Sequence, residues 1–492
     1  MATPIPRNAA RFTLAEILRV TDGVRIGGST LAPDAEIVSV STDTRALAPG
    51  AVFVALHGEL HDGHAHLEAA ARAGASVALV ERDVAAPAGL AVVRVASTLT
   101  ALGDLARAHA RRWRALGNGR KLVGITGSAG KTTTRVAVAA LLEHLRPGAV
   151  HGGQGNLNNR IGVPMVLFGL GPEHRVGVIE MGMNRPGEIA ELCRIAEPEI
   201  GVVTLIAAAH TELVGSIDGV AFEKNALFRA LPADGVAIGN GDDPRVRQGI
   251  LSTPARRRIL YGRSPEAQVK IIARELQGLD RSRIRLDAGA PREVAFVTPL
   301  LGEAGALASA AAFAVVDLAL DLPLTGAACS EAFARADVGA GAGRLVPRLF
   351  TSGLAVIDDS YNANPASMCS SILAAAELAS ATGRRLILVL GEMRELGSES
   401  APGHDEVGRA AAASGAARVF AIAGDAARIA ARAAEGGASA SFTDRVDDAA
   451  ALVRLAVRPQ DLVLVKGSRS IGTERLIGAL AEAHGGIAGG AP

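Results

Sequence analysis

The sequence is poor in aromatic residues, in cysteine and in net charge. Of its 492 residues only 3% are aromatic and three are cysteine, and the formal net charge is +1. This composition argues against a protein that stacks nucleic-acid bases or binds a polyanion. Cys193, Cys329 and Cys369 lie far apart, without the spacing of a metal site. Such cysteine usage is typical of a reducing compartment.

Long hydrophobic runs are also missing. Residues 1–11 lack the apolar segment of a secretory signal, and no uninterrupted apolar run reaches the ~20 residues that span a bilayer. We therefore expect a cytoplasmic protein without membrane insertion and without a nucleic-acid partner. The length predicts about three domains of roughly 100–200 residues each, and a hydrophobic content of 49% suits large buried cores.

What the chain does contain is a stretch, Lys121–Thr134, with the order of elements of a phosphate-binding loop. An apolar run predicts a short buried strand, and an apolar helical pattern follows over 136–145. Between them, Gly127 and Gly130 permit backbone angles that a side chain would forbid. We predict a nucleoside triphosphate site, with a plain glycine-rich turn as the alternative.

The chemistry of such a loop is electrostatic. Backbone N–H groups and the positive helix end bind phosphate oxygens, Lys131 reaches the terminal phosphates, and Thr132 can hold Mg²⁺. The strict pattern G-x-x-x-x-G-K-[ST] fails at one position, because Ile125 stands where its first glycine belongs.

The residues before the loop, 1–117, are predicted to form a domain of their own. Thr13-Leu-Ala-Glu16 predicts a capped helix start. The polar cluster Ser41–Arg45 follows a predicted strand, where binding loops of α/β domains lie. Its alternative interpretation is an Asx-type turn with a surface arginine. A metal site at His61, His64 and His66 is not favoured, because no cysteine or helical i, i+4 pair accompanies them.

From 118 to 335 the predicted strands and helices alternate, which indicates a mainly parallel sheet covered on both faces. Strands are expected at 176–181, 200–206 and 235–240, and helices at 188–196 and 216–230. Short alternating runs between about 266 and 300 predict a small antiparallel addition. Ligands of parallel sheets gather at the carboxyl ends of the strands, where Glu180 and His210 stand.

A Gly/Ala-rich segment, 338–343, predicts a hinge into a third domain, 336–492. This domain again alternates, with strands expected at 354–358, 386–390, 419–422 and 462–466 and helices at 366–381 and 406–413. It is expected to be a Rossmann-like doubly wound domain, although no G-x-G-x-x-G fingerprint follows its first strand.

Several polar residues are ambiguous by themselves. Glu180 is either a Mg²⁺ ligand or an ordinary strand-end acid, and His210 is either a ligand or a loop histidine. Lys224 by itself is best interpreted as a solvated helix lysine. The asparagines Asn156, Asn158 and Asn159 fit either a loop around phosphate and metal or a plain surface loop.

Together these motifs resemble the Mur ligase family, the ATP-dependent amide ligases of peptidoglycan precursor synthesis, over nearly the whole chain. The family's T-G-x-x-G-K-T loop stands at 126–132, which explains the misfit at Ile125. Its N-x-N-N-x-x-G-x-P signature stands at 156–164, and its E-M-G strand end at 180–182. The segments 359–365 and 391–397, with His404, resemble the members that add a dipeptide.

The resemblance implies three α/β domains: a UDP-sugar-binding domain, a P-loop ATPase-like domain and a Rossmann-like domain. It also implies roles for individual residues. Lys131, Lys224, His210 and Arg344 would be catalytic, with Lys224 carbamylated and Arg344 touching the γ-phosphate. The residues implied to bind ATP are Gly127, Ser128, Ala129, Gly130, Lys131, Thr132, Thr133, Asn156 and Asn362. Those implied to hold Mg²⁺ are Thr132, Glu180 and His210, and those implied to bind the UDP-sugar are Ser41, Asp43, Thr44 and Arg45.

The implied reaction joins D-Ala-D-Ala to UDP-MurNAc-tripeptide through an acyl phosphate, in a monomeric enzyme. Two departures from the family stand out: alanines replace a usual His and Asn within 301–308, and Asn225 replaces a common glycine. The first puts the contacts to the ATP base in doubt. The alternatives are another amide ligase, such as another Mur ligase or a folylpolyglutamate synthase, or a P-loop switch or kinase.

Overall fold

The structure is a computed structural model that describes residues 8–58, 61–117, 119–153, 155–209, 211–289, 292–336 and 343–487. Within these residues the chain builds three large sheets one after another, of five, nine and six strands, and one small two-stranded sheet. The expected mixed α/β class with mainly parallel sheets is confirmed. His210 and most of the predicted hinge, 338–342, lie outside the described residues.

The first sheet has the order β2-β7-β6-β5-β4 and is parallel except for β2. Strands β1 and β3 of the same part form the separate two-stranded antiparallel sheet. The strands of this part are β1 (Arg11–Thr13), β2 (Val24–Gly27), β3 (Glu36–Val38), β4 (Val40–Ser41), β5 (Val52–Val54), β6 (Val77–Val80) and β7 (Ala91–Arg94). The helices are α1 (Leu14–Thr21), α2 (Leu67–Arg72) and α3 (Thr98–Ala115).

The second sheet has the order β16-β15-β14-β13-β12-β11-β8-β10-β9, and its strands run parallel from β9 to β14. The last two pairings, β14 with β15 and β15 with β16, are antiparallel, so the predicted antiparallel addition is confirmed. The strands are β8 (Lys121–Thr126), β9 (Val150–Gly152), β10 (Val176–Glu180), β11 (Ile200–Val203), β12 (Val236–Asn240), β13 (Arg257–Gly262), β14 (Val269–Gln277), β15 (Arg281–Asp287) and β16 (Glu293–Thr298). The helices are α4 (Lys131–Leu145), α5 (Gly162–Leu167), α6 (Glu188–Ala196), α7 (Thr211–Val214), α8 (Ile217–Lys224), α9 (Ala226–Arg229), α10 (Pro244–Ile250), α11 (Gly302–Phe313) and α12 (Gly326–Arg335).

The third sheet has the order β17-β18-β22-β19-β20-β21 and is parallel except for β17. Its strands are β17 (Val346–Leu349), β18 (Ala355–Asp359), β19 (Leu386–Gly391), β20 (Arg418–Ile422), β21 (Ala440–Thr443) and β22 (Leu462–Lys466). The helices are α13 (Pro365–Thr382), α14 (Ser400–Ala413), α15 (Ala426–Glu435), α16 (Val446–Ala456) and α17 (Glu474–His484).

Local signals in the sequence explain several element ends. The Thr13 hydroxyl accepts from the Glu16 N–H and the Glu16 carboxylate accepts from the Thr13 N–H, so the predicted capping box is confirmed. The predicted helix 406–413 begins earlier, at Ser400. Pro402 is tolerated there because the first-turn N–H groups of a helix have no intrahelical partner.

Two predicted elements in the central part are wrong in extent. The strand predicted over 200–206 ends at Val203, because Thr204 turns toward the phosphate loop and its hydroxyl bonds to the carbonyl of Ala129. The helix predicted over 216–230 is divided into α8 and α9 at Asn225. Lys224 is therefore the last residue of its own short helix.

The first two parts of the fold share one hydrophobic core. Helix α3 packs on α5 and α6, and the buried cluster that contains Phe12 and Trp113 continues to Leu192 of the central part. Ion pairs border this contact, such as Arg114 with Glu199 at 2.6 Å.

Three histidines lie beneath this contact. His151 on β9 and His174 have ring centroids 4.8 Å apart, and the His109 ring donates from Nε2 to the carbonyl of Leu170. Burial lowers the pKa of each of the three, that of His151 to about 4. The His151 ring donates from Nε2 to the carbonyl of Val166 at 2.7 Å.

Replacing His151 by glutamine is expected to flatten the acid side of the stability profile. An unfolded histidine titrates near 6.5, so between that pH and about 4 the unfolded chain binds a proton that folded His151 does not bind. In the wild type, the contribution of His151 to the free energy of unfolding is therefore fully present above about pH 6.5. It is lost as the pH drops toward 4, a change of roughly 3 kcal/mol. Urea unfolding of both proteins between pH 7.5 and 4.5 measures the difference. Parallel curves would contradict the prediction.

The third part of the fold closes against the central part. The Asn364 side chain donates from Nδ2 to the carbonyl of Ser128 at 3.2 Å, and the Thr211 hydroxyl donates to the carbonyl of Leu396 at 2.8 Å. On the far side, Arg274 on β14 forms an ion pair with Glu377 on α13. The carboxyl ends of the central strands therefore face the loops of the third sheet.

One helical stretch among the described residues, Gly302–Ala319, is long and apolar enough to cross a membrane by composition. It consists of α11 and the π-helical turns that follow it. Because 78% of it is buried within the fold, it has the features of a core helix.

Candidate active site

The phosphate loop connects β8 to α4. Gly127 has φ +154°, and a Cβ on this residue would lie 1.9 Å from Thr204 Oγ1. Gly130 has φ +83° and precedes the first turn of α4. Only glycine fits both positions, because one has no room for a side chain and the other is left-handed. The first N–H groups of α4 are thus presented at the loop, as anion binding requires.

Lys131, the first residue of α4, folds back over this loop. Its Nζ donates to the carbonyl of Gly127 at 2.7 Å. Burial lowers the pKa of Lys131, Glu180 opposes this effect, and Arg344 adds to it. The ammonium group is thus already placed at the loop where phosphate oxygens would bind.

Glu180, at the end of β10, meets the phosphate loop from the neighbouring strand. Its Oε2 accepts from the Thr132 hydroxyl at 2.7 Å, and its Oε1 accepts from Asn158 Nδ2 at 2.8 Å. Burial by itself would raise the pKa of the Glu180 carboxyl, but the charges of Lys131 and Arg344 and the two hydrogen bonds hold it below its usual range. The interpretation of Glu180 as an ordinary strand-end acid does not fit a carboxylate that is buried and ionised among cations.

Lys224 is buried, with 1% of its surface exposed, so its interpretation as a solvated lysine is wrong. Burial, followed by the charge of Lys131, holds the pKa of Lys224 well below its ordinary value, and Glu223 only partly opposes this. The Glu223 carboxylate accepts from the N–H of Gly187. Burial of this kind disfavours the charged ammonium form of the amine.

The third sheet contributes a second group of polar residues. Asp359 Oδ2 accepts from Lys466 Nζ at 2.6 Å and from the Ser371 hydroxyl, and Lys466 Nζ also donates to the carbonyl of Asn362 at 3.0 Å. The Arg344 guanidinium lies over the Tyr361 ring, 4.1 Å from its centroid.

Most of these residues line one cavity of about 620 Å³ between the central and third parts. The predicted residues that line it from the central part are Ser128, Ala129, Gly130, Lys131, Thr133, Asn156, Glu180 and Lys224. Arg344 and Asn362 line it from the third part. Thr132 reaches it only through Glu180. His210 lies outside the described residues, so its place relative to the cavity stays a prediction.

The predicted sugar-binding loop lies elsewhere. Ser41, Asp43, Thr44 and Arg45 do not line the cavity. They form the local turn of the alternative interpretation: the Ser41 hydroxyl accepts from the Asp43 N–H, and the Asp43 carboxylate accepts from the N–H and guanidinium of Arg45. Their role in binding stays a prediction.

The histidines near this loop have a structural explanation. The His64 ring is hydrogen-bonded at both nitrogens, to the Asp62 carboxylate at 2.6 Å and from the N–H of Glu81 at 2.9 Å. It therefore has no nitrogen left for a metal. Throughout the described residues, no group of three or more His, Cys, Asp or Glu side chains could hold a metal ion.

Sequence reasoning assigned no role to Asn364, Asp359, Lys466 or Arg135. The Arg135 Nε lies 3.6 Å from Glu180 Oε2 and is three residues beyond Thr132 on α4. Asp359 and Lys466 each end a strand of the third sheet, so the strand-end rule applied to Glu180 would have found them. The contact of Asn364 with the phosphate loop depends on domain packing, and no local signal predicts it.

Comparison with known proteins places this geometry in a family. Three family models match the chain: "Mur ligase family, catalytic domain" over 36–110, "Mur ligase middle domain" over 125–316, and "Mur ligase, glutamate ligase domain" over 343–469. The UDP-N-acetylmuramoyl-tripeptide–D-alanyl-D-alanine ligase of Escherichia coli is 35% identical over 477 residues, which cover 96% of this chain and 98% of that one. The chain belongs to the Mur ligase family.

Solved structures of Mur ligases have the same three-domain architecture. The crystal structure of MurF from Acinetobacter baumannii superposes with a TM-score of 0.83 at 29% identity, covering 97% of this chain and all of that one. MurF from Thermotoga maritima, solved in complex with ADP, superposes with a TM-score of 0.76 at 24% identity over 90% of this chain and 97% of that one. At that identity the second comparison supports the fold alone.

Proposed function

We propose that this Mur ligase joins D-Ala-D-Ala to UDP-MurNAc-tripeptide with ATP, as the name of its E. coli relative describes. The observation that carries the proposal is the single cavity in which Lys131, Glu180 and Lys224 of the central part meet Arg344 and Asn362 of the third part. A P-loop switch or kinase would not need Arg344 and Asn362 from a further domain. A folylpolyglutamate synthase is not favoured, because relatives that align over 96% of the chain are named dipeptide ligases.

The proposed roles follow the geometry around the phosphate loop. The segment Gly127–Thr133 would bind the ATP phosphates, with Asn156 and Asn362 as further nucleotide contacts. Lys131 would leave the carbonyl of Gly127 for a phosphate oxygen, and Arg344 would touch the γ-phosphate. We retain Ser41, Asp43, Thr44 and Arg45 as the proposed contacts of the UDP-sugar. The proposed domain divisions stay at 117/118 and 335/336.

The donor set around Glu180 fits Mg²⁺. A carboxylate and a hydroxyl meet at 2.7 Å, and both are the hard oxygen ligands that Mg²⁺ prefers while keeping several waters. Thr132 and Glu180, with His210 outside the described residues, are the proposed ligands. The bound ion would neutralise phosphate charge during transfer.

In the proposed mechanism the chain mainly orients reactants and excludes water. The terminal carboxylate of the tripeptide attacks the γ-phosphorus, the bond to ADP breaks, and an acyl phosphate forms. The amine of D-Ala-D-Ala then attacks the acyl carbon, and phosphate leaves as the amide forms. Lys131 and Arg344 stabilise the phosphoryl charge. Closure of the third domain, through contacts such as Asn364 to Ser128, keeps water from the acyl phosphate.

A carbamylated Lys224 belongs to this proposal. Its Nζ, whose charged form is disfavoured by burial, would as the free amine add CO₂ and lose a proton to give a carbamate, an anion beside the cations of the loop. The enzyme is proposed to act as a cytoplasmic monomer.

Phosphate release from ATP under three conditions tests the function: ATP alone, ATP with UDP-MurNAc-tripeptide, and ATP with both the tripeptide and D-Ala-D-Ala. Sustained release is expected only with both substrates. With ¹⁸O in the tripeptide carboxylate, one labelled oxygen should appear in the released phosphate. Brisk hydrolysis with neither substrate, or unlabelled phosphate, would overturn the proposal.

A further inference from the structure

Arg344 lies between two residues whose backbone is held in an unusual conformation. Gly343 and Leu345 both lie in the left-handed region, at φ +69° and +55°, and this region is uncommon for leucine. The Gly343 carbonyl accepts from the N–H of Tyr361, and the Leu345 N–H donates to Asp359 Oδ1, each at 3.0 Å. Both neighbours of Arg344 are thus tied to the segment 359–361. Strain that is kept in place by its surroundings is typical of functional sites.

The same segment also holds the side chain. The Arg344 guanidinium is 4.1 Å from the centroid of the Tyr361 ring, well within the range of a cation–π contact. No carboxylate within the described residues forms an ion pair with Arg344. Arg348, on the following strand β17, differs in this respect, because it pairs with Asp358.

This mode of holding an arginine suits a residue that must bind an anion. A carboxylate partner would occupy the N–H donors and would have to be displaced. A ring under the guanidinium occupies its face and leaves the donors in its plane free for phosphate oxygens. Tyr361, Arg344 and Lys131 line the same cavity.

We propose that Tyr361 is a positioning residue, whose ring holds the Arg344 guanidinium over the phosphate loop before a triphosphate is bound. This inference rests on the proposed contact of Arg344 with the terminal phosphate. Tyr361 acts through Arg344 and needs no hydroxyl for it, so phenylalanine should replace it and an aliphatic residue should not.

Arg469 offers a matched control. Its guanidinium is also near the Tyr361 ring, at 5.9 Å, but it pairs with Glu474 and does not line the cavity. Replacing Arg469 by glutamine removes a cation from the same ring without removing a proposed phosphate ligand.

The test is a double-mutant cycle on the binding of inorganic tripolyphosphate, measured by calorimetry in the full chain at fixed Mg²⁺ and ionic strength. Tyr361→Leu and Tyr361→Met are each expected to weaken binding about 3- to 10-fold. Tyr361→Phe and Arg469→Gln should bind like the wild type. In an Arg344→Gln background, Tyr361→Leu should cause no further loss.

An equal loss from Tyr361→Leu in both backgrounds would overturn the proposal, since Tyr361 would then act independently of Arg344 or support the fold as a whole. A loss of ATP binding without a loss of tripolyphosphate binding would also overturn it, because the ring would then contact the base. Neither peptide substrate is needed in this assay. If the ligation assay failed, the double-mutant cycle on tripolyphosphate binding could therefore still be interpreted. If ligation were normal and the cycle showed no coupling between Tyr361 and Arg344, only the positioning role of Tyr361 would be overturned.

Discussion

Replacing Lys131 by methionine is expected to lower substrate-dependent phosphate release by about 10²–10³-fold, as removal of one preorganised charge from a transition state typically does. Lys131 Nζ is already held at the loop by the carbonyl of Gly127. Methionine keeps the length and most of the volume of the side chain but has no charge to offer a phosphoryl group. The loss should appear in kcat as well as in the KM for ATP, because the phosphoryl charge is redistributed during transfer.

Lys121 provides the control for this experiment. It stands at the opposite end of the same strand, β8, and does not line the cavity. Lys121→Met should leave kcat within about twofold of the wild type, as surface changes usually do. A loss of less than tenfold in Lys131→Met would show that Lys131 does not neutralise the transferring group.

The phosphate loop could be predicted from sequence because its causes are local. A buried strand, two glycines in fixed places and the start of a helix determine where the N–H groups lie, and the Cβ that Gly127 lacks would collide with Thr204. The position of Glu180 follows with one further step. The carboxyl ends of adjacent parallel strands meet at one edge, and β10 pairs directly with β8.

The burial of Lys224 could not be predicted in this way. The sequence of α8, which contains Lys224, shows no clear apolar face. The sequence therefore favoured a solvated lysine. The structure divides the predicted helix at Asn225, and the side chain then enters the cavity. Burial here results from the packing of α8 against several elements, including α6 and α10, and no local pattern encodes it.

Contacts between the domains escape sequence reasoning for the same reason. Asn364 caps α13 through its Oδ1, which a local pattern predicts, but its Nδ2 donates to Ser128 in another domain. The pair of Asp359 and Lys466 could be predicted from the sequence only in part. Both residues end strands, yet only the strand order β18-β22 places them side by side.

Replacing Lys224 by alanine is expected to abolish ligation, which is a larger effect than that of Lys131→Met. If the carbamate forms, its loss removes an anion from a cavity that contains Lys131 and Arg344 and so leaves those cations unbalanced. Ligase activity measured with both substrates should fall to background. Added short carboxylic acids should restore part of it, because the vacated space admits a small anion in place of the carbamate.

A direct measurement separates the carbamate from a merely structural lysine. In ¹³CO₂-equilibrated buffer the wild type should show one carbamate carbon signal by NMR, which disappears in Lys224→Ala and persists in Lys131→Met. Lys270, half-buried on β14 and outside the cavity, is the control: Lys270→Ala should keep both the signal and the activity. If Lys224→Ala kept near-normal activity, or if the wild type lacked the signal while remaining active, the amine of Lys224 would act unmodified or not at all. The lowered pKa of Lys224 would then be only a consequence of its burial beside Lys131, and not a preparation for carbamate formation.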